Sequence, residues 1–114
     1  MQHEDRIRIV HMLDACHAVL RFAHGKNRHD LGAQEMLQFA LVRGIEIIGE
    51  AAGRVSESTQ QRFPEIPWRE AVGIRNRLVH AYFDVDLDVL WKTVQESIPE
   101  LELQLTLLLK TPAR

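Results

Sequence analysis

Apolar residues recur at three- and four-residue intervals along almost the whole chain, and this spacing limits what it can fold into more than any single residue does. The first such segment runs from about Glu4 to His24, with Ile7, Val10, Leu13, His17 and Leu20 near one face. Gly25 reads as its stop signal, the polar run Lys26-Asn27-Arg28-His29 follows, and Asp30 reads as the N-cap of the next helix. That second helix is expected from about Leu31 to Val55, with Met36, Leu37, Ala40, Leu41, Gly44, Ile47, Ile48 and Ala51 as its apolar stripe. Gly44, Gly49 and Gly53 lie inside it, each costing about 1 kcal/mol relative to alanine. Close approach of another helix is the expected reason for them.

Pro64 and Pro67 exclude a continuous helix through Ser56 to Pro67. A third helix is expected from Pro67-Trp68 through Phe83, then Asp84-Val85-Asp86 as a connector with Asp86 as an N-cap. The last helix is expected from about Leu87 to Lys110, carrying Leu90, Val94, Leu101, Leu105 and Leu108. Pro99 falls inside it and implies a kink or break at Ser97-Ile98. Sustained period-two alternation and Asn-Gly or Asp-Gly turns are missing from the sequence, so strands are not expected. The reading is an all-α, four- to five-helix antiparallel bundle, one domain over residues 1–114.

Composition narrows the function. The net charge is −2, whereas proteins that hold nucleic acid through a broad field are usually basic. Any such role must rest on a local site. The one cysteine, Cys16, lies in an apolar helical stretch and reads as a small buried hydrophobe. No apolar run reaches the ~18 residues of a membrane span, and the N-terminus lacks the layout of a secretory signal, so a cytoplasmic protein is expected. Six histidines raise the question of a metal, with His17 and His24 on one helix and His24, His29 and Asp30 around a turn. The spacing matches no recognised ligand motif, and neither metal nor other cofactor is expected. A glycine-rich phosphate loop is also missing, and Ser56, Ser58 and Cys16 have no evident base beside them.

The chemistry-bearing stretch is Arg75-Asn76-Arg77-Leu78-Val79-His80-Ala81-Tyr82. On a continuous helix Asn76 and His80 fall one turn apart on one face, and Arg75 and Tyr82 are nearly aligned. Arg75 and His80 are about 140° apart, within reach of a long arginine side chain, and two copies meeting across a dimer axis would converge more readily. Histidine can take or give a proton at neutral pH, as activation of a ribose 2′-OH or protonation of a leaving 5′ oxygen requires. Arginine stays charged and its fork matches phosphate oxygens. Asparagine can orient the phosphate or hold the histidine tautomer. An Arg-x4-His spacing by itself is common on solvated helix faces and carries little weight.

The flanks add to it. Arg75 to Tyr82 fits the Arg-polar-x3-His pattern of the HEPN superfamily, with the x-Tyr extension of its HepT-like ribonuclease toxins. The segment Arg43-Gly44-Ile45-Glu46-Ile47-Ile48-Gly49-Glu50-Ala51 resembles that family's second helix. Pro67-Trp68-Arg69 before the motif, and Tyr82-Phe83-Asp84-Val85-Asp86 with Leu90-Trp91 after it, are similar as well, so the likeness covers roughly residues 4 to 109. The resemblance implies a metal-independent endoribonuclease toxin acting on RNA as a homodimer, with the two motifs at a shared cleft. Arg75 and His80 would be the catalytic pair and Asn76 the supporting polar residue. It further implies a minimal nucleotidyltransferase antitoxin that can transfer AMP to Tyr82, placing a bulky anion two residues from His80.

Glu46 and Glu50, one turn apart, read either as an exposed acidic edge or as carboxylates that position Arg75 or Arg43. An alternative of another class is a non-catalytic nucleotide- or partner-binding subunit of a two-component nucleotidyltransferase. The acidic balance favours it, and the intact Arg75/His80 pair favours catalysis.

Overall fold

Helix α1 (His3–Ala23) forms one side of a bundle whose other long members are α3 (Glu35–Gly53), α5 (Trp68–Leu78) and a C-terminal rod. The rod comprises α6 (Leu87–Lys92), a π-helical turn (Thr93–Ser97) and α7 (Ile98–Leu109). Single-turn helices α2 (Arg28–Ala33) and α4 (Glu57–Arg62) fill two of the connections. The computed structural model describes residues 1–81 and 84–111, with backbone alone for His80 and Ala81. The all-α bundle is as expected, with four long helical members.

Neighbouring helices run antiparallel. Asp5 meets Ser56 while Val19 meets Gly44, Gly49 meets Ala71 while Glu46 meets Arg75, and Arg6 donates to the Leu109 carbonyl across 2.9 Å. The core joins Ile9, Met12, Cys16 and Val19 of α1 to Leu41, Ile45 and Ile48 of α3, Leu78 of α5, and Leu90, Val94 and Leu105 of the rod. Burial pushes the Cys16 thiol up to about 12, with the Glu102 charge adding to it, so Cys16 is an inert apolar filler at neutral pH.

The buried face of α1 differs from the expected one. Asp5, Ile9, Met12, Ala15, Cys16, Val19 and Ala23 face inward, while Ile7 and Val10 are exposed. The helix carries two apolar stripes, and burial selects the one whose small side chains let α3 come close. A Cβ on Gly44 would lie 2.5 Å from Val19 Cγ2, and a Cβ on Gly49 would lie 2.9 Å from the Ala71 carbonyl oxygen. Close helix approach therefore explains Gly44 and Gly49. Gly53 has only ordinary contact, 3.8 Å to Val72. These contacts give opposite signs for two alanine substitutions. Gly73→Ala, in open space on α5, should stabilise by about 1 kcal/mol. Gly49→Ala should destabilise by about 1 kcal/mol, because overpacking against the α5 backbone exceeds the propensity gain. Urea unfolding checks both, and equal stabilisation by the two would contradict the close contact.

Three boundaries depart from expectation. Asp30 is the third residue of α2, not an N-cap; Asn27 caps, accepting from the Asp30 amide while the Asp30 carboxylate accepts from the Asn27 amide, both at 2.9 Å. The expected helix from Leu31 to Val55 is broken at Gln34, which is extended, and the Gln38 side chain donates to the Leu31 carbonyl at 2.9 Å in place of a lost helical amide. At the C-terminal rod, the irregularity expected at Ser97-Ile98 is a π-helical turn ending at Ser97, not a break. The backbone stays helical there, and the turn before it widens into the π form, which accommodates a residue with no amide to donate.

The largest departure concerns the third helix. Helix α5 ends at Leu78, and Val79–Ala81 and Asp84–Val85 pair as antiparallel strands β1 and β2. The run from Val79 to Val85 is rich in β-branched and aromatic residues, which favour extended backbone. The Asp86 amide donates to the Leu78 carbonyl at 2.7 Å, closing the helix end against the start of α6. Asp86 caps α6 as expected, its side chain accepting from the Val89 amide at 3.0 Å.

Candidate active site

Two helices build the site. Trp68 fixes the start of α5, its indole N–H donating to the Phe63 carbonyl at 3.0 Å, and Ala71, Ile74 and Leu78 bury one face. Arg75 and Asn76 stay exposed on the other side. Because Gly49 lets α3 lie close against α5, Arg75 meets Glu46: Arg75 Nε donates to Glu46 Oε2 at 2.9 Å. The carboxylate is the more buried partner, 24% exposed against 50% for the guanidinium. One of the five arginine N–H groups is thereby used, and among the described residues the four on the terminal nitrogens meet no acceptor.

Glu50 does not bond Arg75. It accepts from Arg43 at 3.4 Å, an exposed pair of little energetic weight. Glu50 does share with Arg75, Glu46, Gly49 and Val72 the lining of a shallow depression of about 190 Å³. Of the two sequence candidates, Glu46 is the one that holds the motif arginine.

His80 lies in β1, not on the helix with Arg75 and Asn76. The expected one-turn spacing of Asn76 and His80 along one helix required α5 to continue past Leu78, and it does not hold; the expected alignment of Arg75 with Tyr82 falls outside the described residues. His80 is carried instead by a hairpin anchored between the end of α5 and the Asp86 cap of α6. The side chain of His80, and Tyr82 altogether, lie outside the described residues. Arg77, two residues from Arg75 and about 200° around the helix, lines a different groove against α7.

Two exposed residues on α3 were not foreseen beside this site. Met36, expected in the core, is 87% exposed, and Phe39 is 72% exposed. At 100° per residue Met36, Phe39, Arg43, Glu46 and Glu50 fall within a stripe about 80° wide, so the apolar pair continues the face that carries the carboxylates. The signal was in the sequence: Met36 and Phe39 both sit off the stripe of Leu37, Leu41, Gly44 and Ile48.

Among the described residues no group of three or more His, Cys, Asp or Glu side chains is placed to hold a metal ion, and no helix is long and apolar enough to cross a membrane.

Comparison with known proteins identifies the family. A Methanocaldococcus jannaschii protein named as an RNase is 35% identical over 91 residues, 80% of this chain and 84% of the relative. A Thermococcus cleftensis protein named as a ribonuclease HepT is 49% identical over 73 residues, 64% of this chain and 66% of the relative. A Caldanaerobacter subterraneus protein named as an RNase is 35% identical over 94 residues, 82% and 84% of the two chains. No solved structure matches. The family description "Ribonuclease HepT-like" matches residues 12–108, a span that includes α3, α5 and the whole of Arg75 to Tyr82, and the chain belongs to that family.

Proposed function

We propose that this protein is an endoribonuclease toxin that cleaves RNA without a metal ion, at a site made by Arg75, His80 and Asn76. The observation that carries the reading is the Arg75–Glu46 pair, which fixes the motif arginine through Nε and, among the described residues, leaves its phosphate-matching edge open, in a chain of a ribonuclease family. The ribose 2′-OH attacks the adjacent phosphorus, a 2′,3′-cyclic phosphate forms, and the bond to the 5′ oxygen breaks. His80 takes the proton of the 2′-OH or returns one to the leaving oxygen. Arg75 neutralises the charge that builds on the phosphate oxygens, and Asn76 orients the phosphate.

The working form is a homodimer with both motifs at one cleft, so His80 of the partner subunit supplies the complementary proton step. The exposed Met36 and Phe39, on the same stripe of α3 as Glu46, support a face that is covered in the working form. A minimal nucleotidyltransferase antitoxin neutralises the toxin, and AMP transferred to Tyr82 adds negative charge beside the cleft, repelling RNA.

Inducible expression in bacteria, with RNA 3′ ends mapped by sequencing, tests the proposal. Wild type should arrest growth and create new ends; Arg75→Ala and His80→Ala should do neither. Silence from all three strains would favour a binding subunit of a two-component nucleotidyltransferase, the reading to which the net charge of −2 lends some support.

Glu46 acts through Arg75 as a positioning residue. Glu46→Ala should reduce kcat by about tenfold with an unchanged melting temperature, since a misplaced group loses transition-state contact before it loses binding. Glu46→Gln, whose amide oxygen can still accept from Nε, should restore most of the activity. Equal losses from both variants would contradict the positioning role.

A further inference from the structure

A second concave surface lies on the flank of α5 that carries Arg77. A groove of about 320 Å³ runs between α3, α5 and α7, floored by Ile45, Ile74, Ile98 and Leu101. Its rim carries three carboxylates, Glu65, Glu70 and Glu100, against a single guanidinium, Arg77. Gln104, also in the wall, donates through Nε2 to the Glu65 carbonyl at 3.0 Å, and its amide oxygen is buried with no donor among the described residues.

We propose that this groove docks a protein segment presenting an apolar anchor next to a lysine or arginine. The apolar floor takes the anchor and the aliphatic stem of the basic side chain, and the rim carboxylates take its charge. RNA is the wrong occupant, because the net negative rim repels phosphate. Since Arg75 and Arg77 point about 200° apart around α5, a partner in the groove leaves the Arg75 face open. This inference stands apart from the reading of RNA cleavage.

The test titrates the isotope-labelled full chain with the peptide acetyl-Leu-Lys-Ala-Leu-Arg-amide and follows backbone amide shifts. The expected result is shifts centred on the groove residues that the depression beside Arg75 does not share, Ser97, Ile98, Leu101 and Gln104. Binding should be at least tenfold tighter than for the same peptide with glutamate at both basic positions, and should be lost when serine replaces both leucines. The exposed double variant Glu70→Lys/Glu100→Lys should lose at least tenfold in affinity. Any of four outcomes would overturn the proposal: shifts centred on Arg75, equal binding of the glutamate peptide, equal shifts from spermidine, or full binding by the charge-reversed variant.

Discussion

Arg75→Ala should lower kcat/KM for RNA cleavage by about 10²- to 10³-fold, the usual loss when one preorganised donor to a developing oxyanion is removed. His80→Ala should cost about 10²- to 10⁴-fold, the range of a positioned general acid or base. The double variant should be little worse than the weaker single one, because groups that act on one transition state are not additive. Arg75→Lys should not rescue. A lysine cannot give one hydrogen bond to Glu46 while offering a planar fork to phosphate. Single-turnover cleavage of a short RNA by the four purified variants measures all of this, and melting temperatures within a degree or two of wild type would exclude unfolding as the cause. Arg75 is half exposed, so its removal leaves no cavity.

Asp5→Ala should have the largest effect on stability, about 3 kcal/mol, or roughly 10 °C in melting temperature. Asp5 is 3% exposed, and its carboxylate accepts from the Ser56 amide at 2.9 Å, the Ser56 hydroxyl at 2.5 Å and the Thr59 hydroxyl at 2.6 Å. This network ties α1 to the start of α4 across the end of the bundle. Burial by itself would raise the Asp5 pKa, but the hydrogen bonds from Ser56 and Thr59 outweigh it and hold the group below its ordinary value. A depressed folded-state pKa means stability that is fully present above the ordinary carboxylate value and is lost as the pH falls below it. Wild type should therefore lose more stability than Asp5→Ala between pH 5 and pH 2, in urea titrations at each pH. Parallel loss in the two proteins would contradict the assignment.

The sequence made some features of this molecule legible and hid others, for identifiable reasons. Helix-terminal chemistry that is local could be read: Gly25 does end the first helical stretch, in the left-handed conformation with φ +74°, Pro67 does precede α5, and Asp86 does cap α6. Gly44 and Gly49 announced close helix contacts because glycine inside a long helix needs a packing reason. The hairpin was missed because Leu78, Val79 and Tyr82 fit a helical period as well as an extended one, and the contact that decides, Asp86 to Leu78, is made at the far end of the hairpin. The inward face of α1 was ambiguous because two apolar stripes compete, and only the partner helix selects between them. In the site, the motif named Arg75, but the choice of Glu46 over Glu50 as its partner depends on how far α5 slides along α3, which no single-helix reading contains.

The central claim is cleavage by the 2′-OH with Arg75 and His80 and no metal ion. The most direct measurement is digestion of a short RNA by the purified chain in excess EDTA, with the product termini weighed by mass spectrometry and a matched substrate carrying a 2′-deoxy residue at the cleaved position. The account predicts full cleavage in EDTA, a 2′,3′-cyclic phosphate or 3′-phosphate on the upstream fragment, and no cut at the deoxy position. Cleavage that stops in EDTA and returns with Mg²⁺, or a 3′-hydroxyl on the upstream fragment, would contradict it.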